Sequence, residues 1–237
     1  MNRIALMLLK NTFRIPGLFG KLWHYANHTD KYPEEEKWLH IHKILKIAVE
    51  SGNIDLVVTG YENLPEENGF MLYGNHQGMF DVVALAATCE RPLAAVLKKE
   101  LYNVPMLHQI ALCTNSFAMD REDVRQSLKV IQAVIEEVKK GRNYLIFPEG
   151  TRSKNGNVMG EFHAGSFRCA TKTKCPVVPL AFVDCFKPMD EKGSKPVRVQ
   201  LHYLPAIYYE EYKDMKPQDL ANLVRSRIEA KIAECVA

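Results

Sequence analysis

Residues 69–88 read GFMLYGNHQGMFDVVALAAT, and three different patterns follow one another within this stretch. An apolar run that suits a buried strand stops at Gly74. A polar turn with His76 and Gly78 comes next, and Asp81 opens a second apolar run of helical character. The stretch therefore predicts a strand, a tight turn and a helix in immediate succession.

The same alternation continues along the rest of the chain. The patterns predict strands at IDLVVTG, LAAVLK, SFAM, YLIF, PVVPLAF and VRVQLHYL. They predict helices at KWLHIHKILKIAVESG, at REDVRQSLKVIQAVIEEVKKG and in a last segment that opens at KPQDL. A chain of 237 residues with 47% hydrophobic composition can bury one sizeable core. We therefore expect a single α/β domain with a largely parallel or mixed central sheet flanked by helices.

The first 28 residues carry basic side chains but no Asp or Glu. Their basic residues are Arg3, Lys10, Arg14 and Lys21. Their apolar residues can share one side of two short helices broken near IPG, which leaves Lys and Arg at the edges. This composition is typical of an amphipathic helix lying in the plane of the lipid headgroups. A helical arm that packs on its own domain is the alternative.

The longest apolar run in this segment, IALMLL, is far shorter than the ~20 residues that a membrane-spanning helix needs. We therefore expect a peripheral or monotopic protein. The predicted division is an N-terminal amphipathic helical membrane-association arm over residues 1–50, followed by an α/β catalytic domain over residues 51–237.

Charge and cysteine usage narrow the class of partner and the compartment. The formal net charge of +3 is too small to indicate nucleic-acid binding. The six cysteines are scattered without a C-x-x-C pair, which favours free thiols in a reducing, cytoplasmic compartment over disulfides or zinc ligands. We expect neither a metal ion nor a cofactor.

His76 and Asp81 are the candidate catalytic pair. On an ideal helix two residues five apart point about 140° away from each other. They can meet if His76 lies in the turn, Gly78 permits the bend and Asp81 begins the helix with its side chain pointing back. Asp81 would then hold one ring nitrogen and leave the other as a general base. The alternative is a helix cap beside a surface histidine.

A second polar turn, FPEGTRS at residues 147–153, also follows a predicted strand. Its arginine, hydroxyls and glycine suit an anionic oxygen ligand, whereas the absence of a P-loop gives no indication of a nucleotide. Because ligands collect at the carboxyl ends of strands in α/β sheets, the two turns can face one crevice. No G-x-S-x-G sequence supplies a protein nucleophile, so a substrate hydroxyl is the expected attacking group.

NHQGMFD and FPEGTRS together resemble the two main motifs of the glycerolipid acyltransferase family, most closely its 1-acylglycerol-3-phosphate acyltransferase branch. Two further blocks, NSFAMDR and CPVVPLAF, are similar to the other motifs of that family, and the resemblance covers about residues 57–182. The chain departs from the pattern at Asn115, where glycine is usual, at Ala118, where phenylalanine is usual, and at His163, where lysine is usual.

The resemblance implies a mechanism and a set of site residues. His76, oriented by Asp81, takes the proton from the free hydroxyl of lysophosphatidic acid. The alkoxide attacks the thioester of acyl carrier protein or coenzyme A, and phosphatidic acid is released. The acceptor's glycerol phosphate is expected to contact Arg121, Glu149, Gly150, Thr151, Arg152 and either Lys98 or Lys99. Glu149 is expected to order its loop or the acceptor hydroxyl.

The resemblance also places the protein at the cytoplasmic face of the membrane, with the arm on the lipid. Other acceptors remain open, namely glycerol 3-phosphate or another lysophospholipid. Two other classes of function also remain, a thioesterase that activates water and a non-catalytic phospholipid-binding module.

Overall fold

The computed structural model describes residues 2–120 and 122–236, and the strands of this part of the chain form one seven-stranded sheet. The strands are β1 (Ile54–Thr59), β2 (Met71–Gly74), β3 (Ala94–Lys98), β4 (Phe117–Met119), β5 (Tyr144–Ile146), β6 (Val177–Val183) and β7 (Val197–Tyr203). Their order across the sheet is β1-β7-β6-β2-β5-β3-β4. The β6–β7 pair is antiparallel and the other neighbouring pairs are parallel, so the expected α/β class with a mixed sheet is confirmed.

Helices cover both faces of the sheet. They are α1 (Arg3–Lys10), α2 (Ile15–Asn27), α3 (Glu34–Ser51), α4 (Phe80–Thr88), α5 (Lys99–Tyr102), α6 (Leu107–Thr114), α7 (Val124–Lys139), α8 (Arg168–Thr173), α9 (Lys187–Asp190), α10 (Tyr209–Tyr212) and α11 (Pro217–Val236). Leu72 of β2 packs with α2, α3 and α4, whereas Met71 and Tyr73 pack with α7 and α11 on the other face. Because side chains alternate along a strand, β2 contributes to both cores and is fully buried.

The predicted strands and long helices are present. The helix break expected near IPG lies instead at residues 11–14, because Pro16 occupies the first turn of α2, where its missing N–H has no helical partner to lose. The short helices α5, α6, α8, α9 and α10 were not predicted. None of the six cysteines forms a disulfide, and five of them are buried, which agrees with free thiols.

Helix α1 packs on the domain through one face and exposes another. Leu6 and Met7 are buried, whereas Leu8 and Leu9 are 49% and 67% exposed, and Phe13 in the turn after α1 is 99% exposed. Arg3 was expected at a polar edge, and this expectation was wrong. Its side chain is buried, and its guanidinium donates hydrogen bonds to the carbonyls of Gly52, Asn53, Pro188 and Lys195.

The arm and domain boundaries stay a prediction, and α3, which ends one residue beyond the predicted boundary, packs against α4. Within residues 2–120 and 122–236, no helix combines the length and the apolar character that crossing a membrane requires.

Strand β2 lies between β5 and β6, and the three strands run parallel. Their carboxyl ends therefore share one edge of the sheet. The segments that follow them meet at this edge, and we call them the histidine turn (residues 75–81), the arginine loop (residues 147–160) and the α9 segment (residues 184–190).

Candidate active site

The histidine turn brings His76 and Asp81 into contact. His76 Nδ1 donates a hydrogen bond to Asp81 Oδ2 at 2.7 Å. Asp81 lies in the first turn of α4, and its carboxylate also accepts from the backbone N–H groups of Gln77 at 2.7 Å and Gly78 at 3.0 Å. The turn thus bends the chain back so that residues five apart share one carboxylate, as expected from the sequence.

Burial governs the electrostatics of Asp81. Its side chain is fully buried, and loss of hydration raises its pKa, while the hydrogen bonds from His76 and from the two backbone N–H groups act in the opposite direction. A carboxylate that accepts from Nδ1 fixes the neutral imidazole as the tautomer with its proton on Nδ1. The lone pair of Nε2 is then available to accept a proton.

The arginine loop holds both the imidazole ring and the backbone of His76 in place. Phe147 stacks on the imidazole, with 4.1 Å between ring centroids and 16° between planes. The backbone carbonyl of His76 accepts a hydrogen bond from Ser153 N at 2.7 Å. The imidazole ring and the backbone of His76 are therefore both held by residues some seventy positions later in the chain.

Glu149 joins the two segments through its carboxylate. Oε1 accepts from the backbone N–H of His76 and Oε2 from that of Gly160, each at 2.7 Å. The side chain is buried, which raises its pKa, and the two N–H groups oppose this shift. A Cβ on Gly160 would lie 2.9 Å from Oε2, so a side chain there would displace the carboxylate. This geometry favours loop ordering by Glu149, and its expected contact with substrate stays a prediction.

The other expected binding residues differ in their surroundings. Gly150 has a left-handed φ of 67°, which favours glycine, and Thr151 beside it is exposed. Arg152 Nη1 lies 3.2 Å from Asp190 Oδ1. Lys98 stands at the carboxyl end of β3 and pairs with Glu100, while Lys99 pairs with Asp120. Arg121 lies outside the described residues.

Three polar side chains that were not predicted as site residues join these segments by hydrogen bonds. They are Asn75, Gln77 and Asn157. Asn75 accepts from the backbone N–H of Phe182 and donates to its carbonyl, at 2.8 and 2.9 Å. Gln77 accepts from the N–H of Cys185 and donates to Asn157 Oδ1, at 2.9 and 2.7 Å. The detectable signal was the placement of Asn and Gln on either side of His76 at the end of a buried strand.

An apolar cleft with a cavity of about 320 Å³ reaches Phe147, the ring that stacks on the imidazole. Gly150 and His163 also line this cleft. Its walls include Val96, Met119, Val124, Leu128, Ile131 and Ile146. Val124 and Leu128 belong to the predicted apolar stripe of α7, but they are 70% and 49% exposed because the first two turns of α7 overhang the cleft instead of the core.

Comparison with known proteins identifies the family. A family model described as Acyltransferase matches residues 55–183 of this chain. The chain belongs to this family. The expectation of an acyltransferase, made from the histidine turn and the arginine loop, is confirmed.

Several curated relatives of this acyltransferase are named 1-acyl-sn-glycerol-3-phosphate acyltransferase. The 1-acyl-sn-glycerol-3-phosphate acyltransferase of Pseudomonas aeruginosa is 34% identical over 182 residues, covering 76% of this chain and 68% of the relative. The protein of that name from Borreliella burgdorferi is 25% identical over 190 residues, covering 79% and 76%. The crystal structure of the 1-acyl-sn-glycerophosphate acyltransferase of Thermotoga maritima has a TM-score of 0.74 at 21% identity, covering 95% and 98%, which shows a shared fold.

Two departures from the family pattern have visible consequences in this acyltransferase. Asn115, which stands where glycine is usual, has a left-handed φ of 55°, a conformation that asparagine tolerates better than most residues. His163 lies beside Gly150, where a Cβ would come 3.4 Å from the Cδ2 atom of His163.

Among the described residues, no three His, Cys, Asp or Glu side chains cluster as a metal site would require.

Proposed function

We propose that this acyltransferase transfers a fatty acyl group from a thioester donor to the free sn-2 hydroxyl of 1-acyl-sn-glycerol 3-phosphate and produces phosphatidic acid. The observation that carries the proposal is the contact between His76 Nδ1 and Asp81 at 2.7 Å beside the arginine loop. The names of the curated relatives support the same acceptor.

His76 is the general base of the proposed reaction. The Nε2 lone pair takes the proton of the acceptor hydroxyl while the hydroxyl oxygen attacks the thioester carbonyl. The carbon–sulfur bond then breaks, and the protonated imidazole returns the proton to the leaving thiolate. Asp81 stabilises the imidazolium between these two transfers and is itself not protonated by them. No covalent intermediate on the protein is required.

The arginine loop positions the acceptor. Arg152 presents a guanidinium that forks to phosphate oxygens, Thr151 adds a hydroxyl donor, and Gly150 lets the backbone approach closely. Arg121 and Lys98 complete the proposed set of substrate contacts. A phosphate fixed in this way makes the attack of the neighbouring hydroxyl a local event, which is worth orders of magnitude in rate. Glu149 contributes by holding the loop against His76.

The acyl chain of the donor is proposed to lie in the apolar cleft. The cleft starts at Phe147, the ring that stacks on His76, so a chain in it would bring its thioester carbonyl close to the general base. The donor is a thioester of acyl carrier protein or coenzyme A. The exposed apolar face of α1 supports a further element of the proposal, a peripheral or monotopic attachment of the arm to the cytoplasmic face of the membrane.

Thiol release from an acyl thioester tests the proposal directly. The purified protein is assayed with and without lysophosphatidic acid, beside His76→Ala and a matched variant of a half-buried histidine in α6, His108→Ala. We expect release that depends on the acceptor, formation of phosphatidic acid and a loss of roughly 10²-fold or more in His76→Ala only. Release without acceptor would indicate a thioesterase. Lipid binding without thiol release in any protein would indicate a binding module.

A further inference from the structure

Asp190, the last residue of α9, touches two parts of the candidate active site. Its Oδ1 accepts a hydrogen bond from Arg152 Nη1 at 3.2 Å. Its Oδ2 lies directly over the histidine turn, where a Cβ built on Gly78 would approach it to 2.6 Å. Asp190 therefore stands between the arginine expected to meet the acceptor phosphate and the turn that carries the general base.

The contact with Asp190 leaves most of the arginine fork available. A guanidinium has five N–H donors, and the bond to Asp190 uses the Nη1 side. The side chains of Arg152 and Asp190 are 48% and 35% exposed, so the pair is open to solvent. A phosphate can therefore reach the Nε and Nη2 side of Arg152 while the carboxylate holds the other side.

The backbone that carries Asp190 is fastened to three other parts of the chain. Asp184 binds Asn157 of the arginine loop, and the N–H of Cys185 binds Gln77 of the histidine turn. The carbonyl of Pro188 accepts from Arg3 Nε of the arm at 3.0 Å. A carboxylate on so restrained a segment has a fixed position, which a carboxylate on a free loop would not have.

We propose that Asp190 is a positioning residue that holds the guanidinium of Arg152 in the orientation that receives the acceptor phosphate. The proposal rests on the proposed function, since it assumes an acceptor that carries a phosphate. Without Asp190 the long arginine side chain samples many rotamers, and acceptor binding must restrict them anew. The effect belongs to acceptor binding, because Asp190 touches neither the base nor the acyl donor.

A double-mutant cycle tests this proposal. The variants are Asp190→Ala, Arg152→Ala and the combination of both, assayed with a short-chain lysophosphatidic acid in solution so that membrane contact of the arm does not enter. We expect Asp190→Ala to raise the KM for the acceptor about fourfold, as loss of a solvent-exposed ion pair that restrains the arginine predicts. We expect kcat and the KM for the thioester to change less than about twofold. The double variant should be no worse than Arg152→Ala.

Asp55→Asn is the matched control, because it breaks the exposed Asp55–Arg198 pair and changes the net charge equally. It should leave all constants unchanged. Asp190→Asn keeps an acceptor oxygen and should lie between wild type and Asp190→Ala.

Three results would overturn the proposal. The first is that the effects of Asp190→Ala and Arg152→Ala multiply in the double variant. The others are that Asp190→Ala leaves the acceptor KM constant or lowers it, or that it changes kcat and the donor KM in parallel. These results leave the proposed function intact if the wild type and Asp55→Asn make phosphatidic acid. A wild type that acylates no lysophosphatidic acid contradicts the proposed function, and the role of Asp190 falls with it.

Discussion

Glu149 Oε1 accepts a hydrogen bond from the backbone N–H of His76 at 2.7 Å, so a side chain of one motif fixes the main chain of the other. The second oxygen of the carboxylate is bound by Gly160 N at the same distance. The histidine turn and the arginine loop are thereby one unit, and damage to either should affect both.

Glu149→Gln tests this coupling. The amide retains one acceptor oxygen and turns an NH₂ group toward a backbone N–H, so one buried hydrogen bond becomes a contact between two donors. We expect a loss of about 2 kcal/mol in the free energy of unfolding, measured by chemical denaturation. We expect kcat/KM to fall roughly 10²-fold through misplacement of His76. Glu161, an exposed acid next to Gly160, provides the control variant Glu161→Gln. Equal losses in both variants would contradict the coupling.

The raised pKa of Asp81 predicts a pH dependence of stability. The native state binds a proton at Asp81 more readily than the unfolded chain does, so the contribution of this group to the free energy of unfolding falls as pH rises from its ordinary value of 3.8 through the raised pKa. Asp81→Asn removes this contribution. Denaturation measured across that pH range should show a smaller decline with rising pH in the variant than in wild type, and an identical slope would refute the assignment.

Activity should respond to Asp81→Asn for a different reason. The neutral amide of the variant cannot stabilise an imidazolium as a carboxylate does, and it can select the other tautomer of His76. We expect kcat to fall by roughly 10²-fold or more with little change in the acceptor KM, measured by steady-state thiol release. Asp219→Asn, which changes an exposed acid in the first turn of α11, should leave kcat unaffected.

Gly78→Ala should disturb the contact between the histidine turn and the α9 segment. The added Cβ would lie 2.6 Å from Asp190 Oδ2, 2.9 Å from Phe186 Cα and 3.2 Å from the Cys185 carbonyl. Backbone atoms must then move, and overpacking of this kind costs about 1–3 kcal/mol. Thermal unfolding should show a lower Tm and the thiol assay a lower rate. Gly20→Ala, whose Cβ meets nothing within 4 Å, is the control and should not lower the Tm.

The cleft predicts how acyl preference can be changed. Ile131 lines the cleft, whereas Gln132 beside it is exposed. Ile131→Phe should narrow the cleft and lower kcat/KM for long-chain thioesters about tenfold relative to short-chain thioesters, a difference of roughly 1.4 kcal/mol. Gln132→Phe should leave the ratio unchanged. Competition between two thioesters in one reaction measures the ratio, and a constant ratio in Ile131→Phe would place the acyl chain elsewhere.

The exposed apolar side chains of α1 and of the turn after it predict membrane binding. A Leu8→Ser, Phe13→Ser double variant should lose about tenfold or more in affinity for anionic lipid vesicles, because two apolar side chains no longer enter the headgroup region. Co-sedimentation measures the affinity, and Val236→Ser, which changes an exposed apolar side chain of α11 outside the arm, is the control. Activity on a short-chain acceptor in solution should be unchanged. Retained vesicle binding would show that the arm is not the attachment.

The sequence predicts best what depends on neighbouring residues. The strand before Gly74, the bend at Gly78 and the meeting of His76 with Asp81 follow from local pattern and from backbone freedom, and the structure has them all. The long amphipathic helix α7 is also present, and Gly141 follows its C-cap, Lys140, at a φ of 90°.

The remaining contacts depend on which strands become neighbours. Gln77 binds Cys185 because β6, a hundred residues later, lies beside β2, and no local pattern encodes that order. Arg3 is similar, since a basic residue on an amphipathic helix is normally solvated. Its burial becomes favourable only where the carbonyls of three separate segments converge on one guanidinium.

The position of β2 between β5 and β6 determines which parts of the enzyme can unfold locally while the site stays intact. In native-state hydrogen exchange, amides of central buried strands open only with the whole molecule, whereas amides of edge strands open in smaller units. The histidine turn, the arginine loop and the α9 segment each follow one of the central strands β2, β5 and β6. The edge strands β1 and β4 can therefore fray and exchange their amides many times while the general base keeps its place.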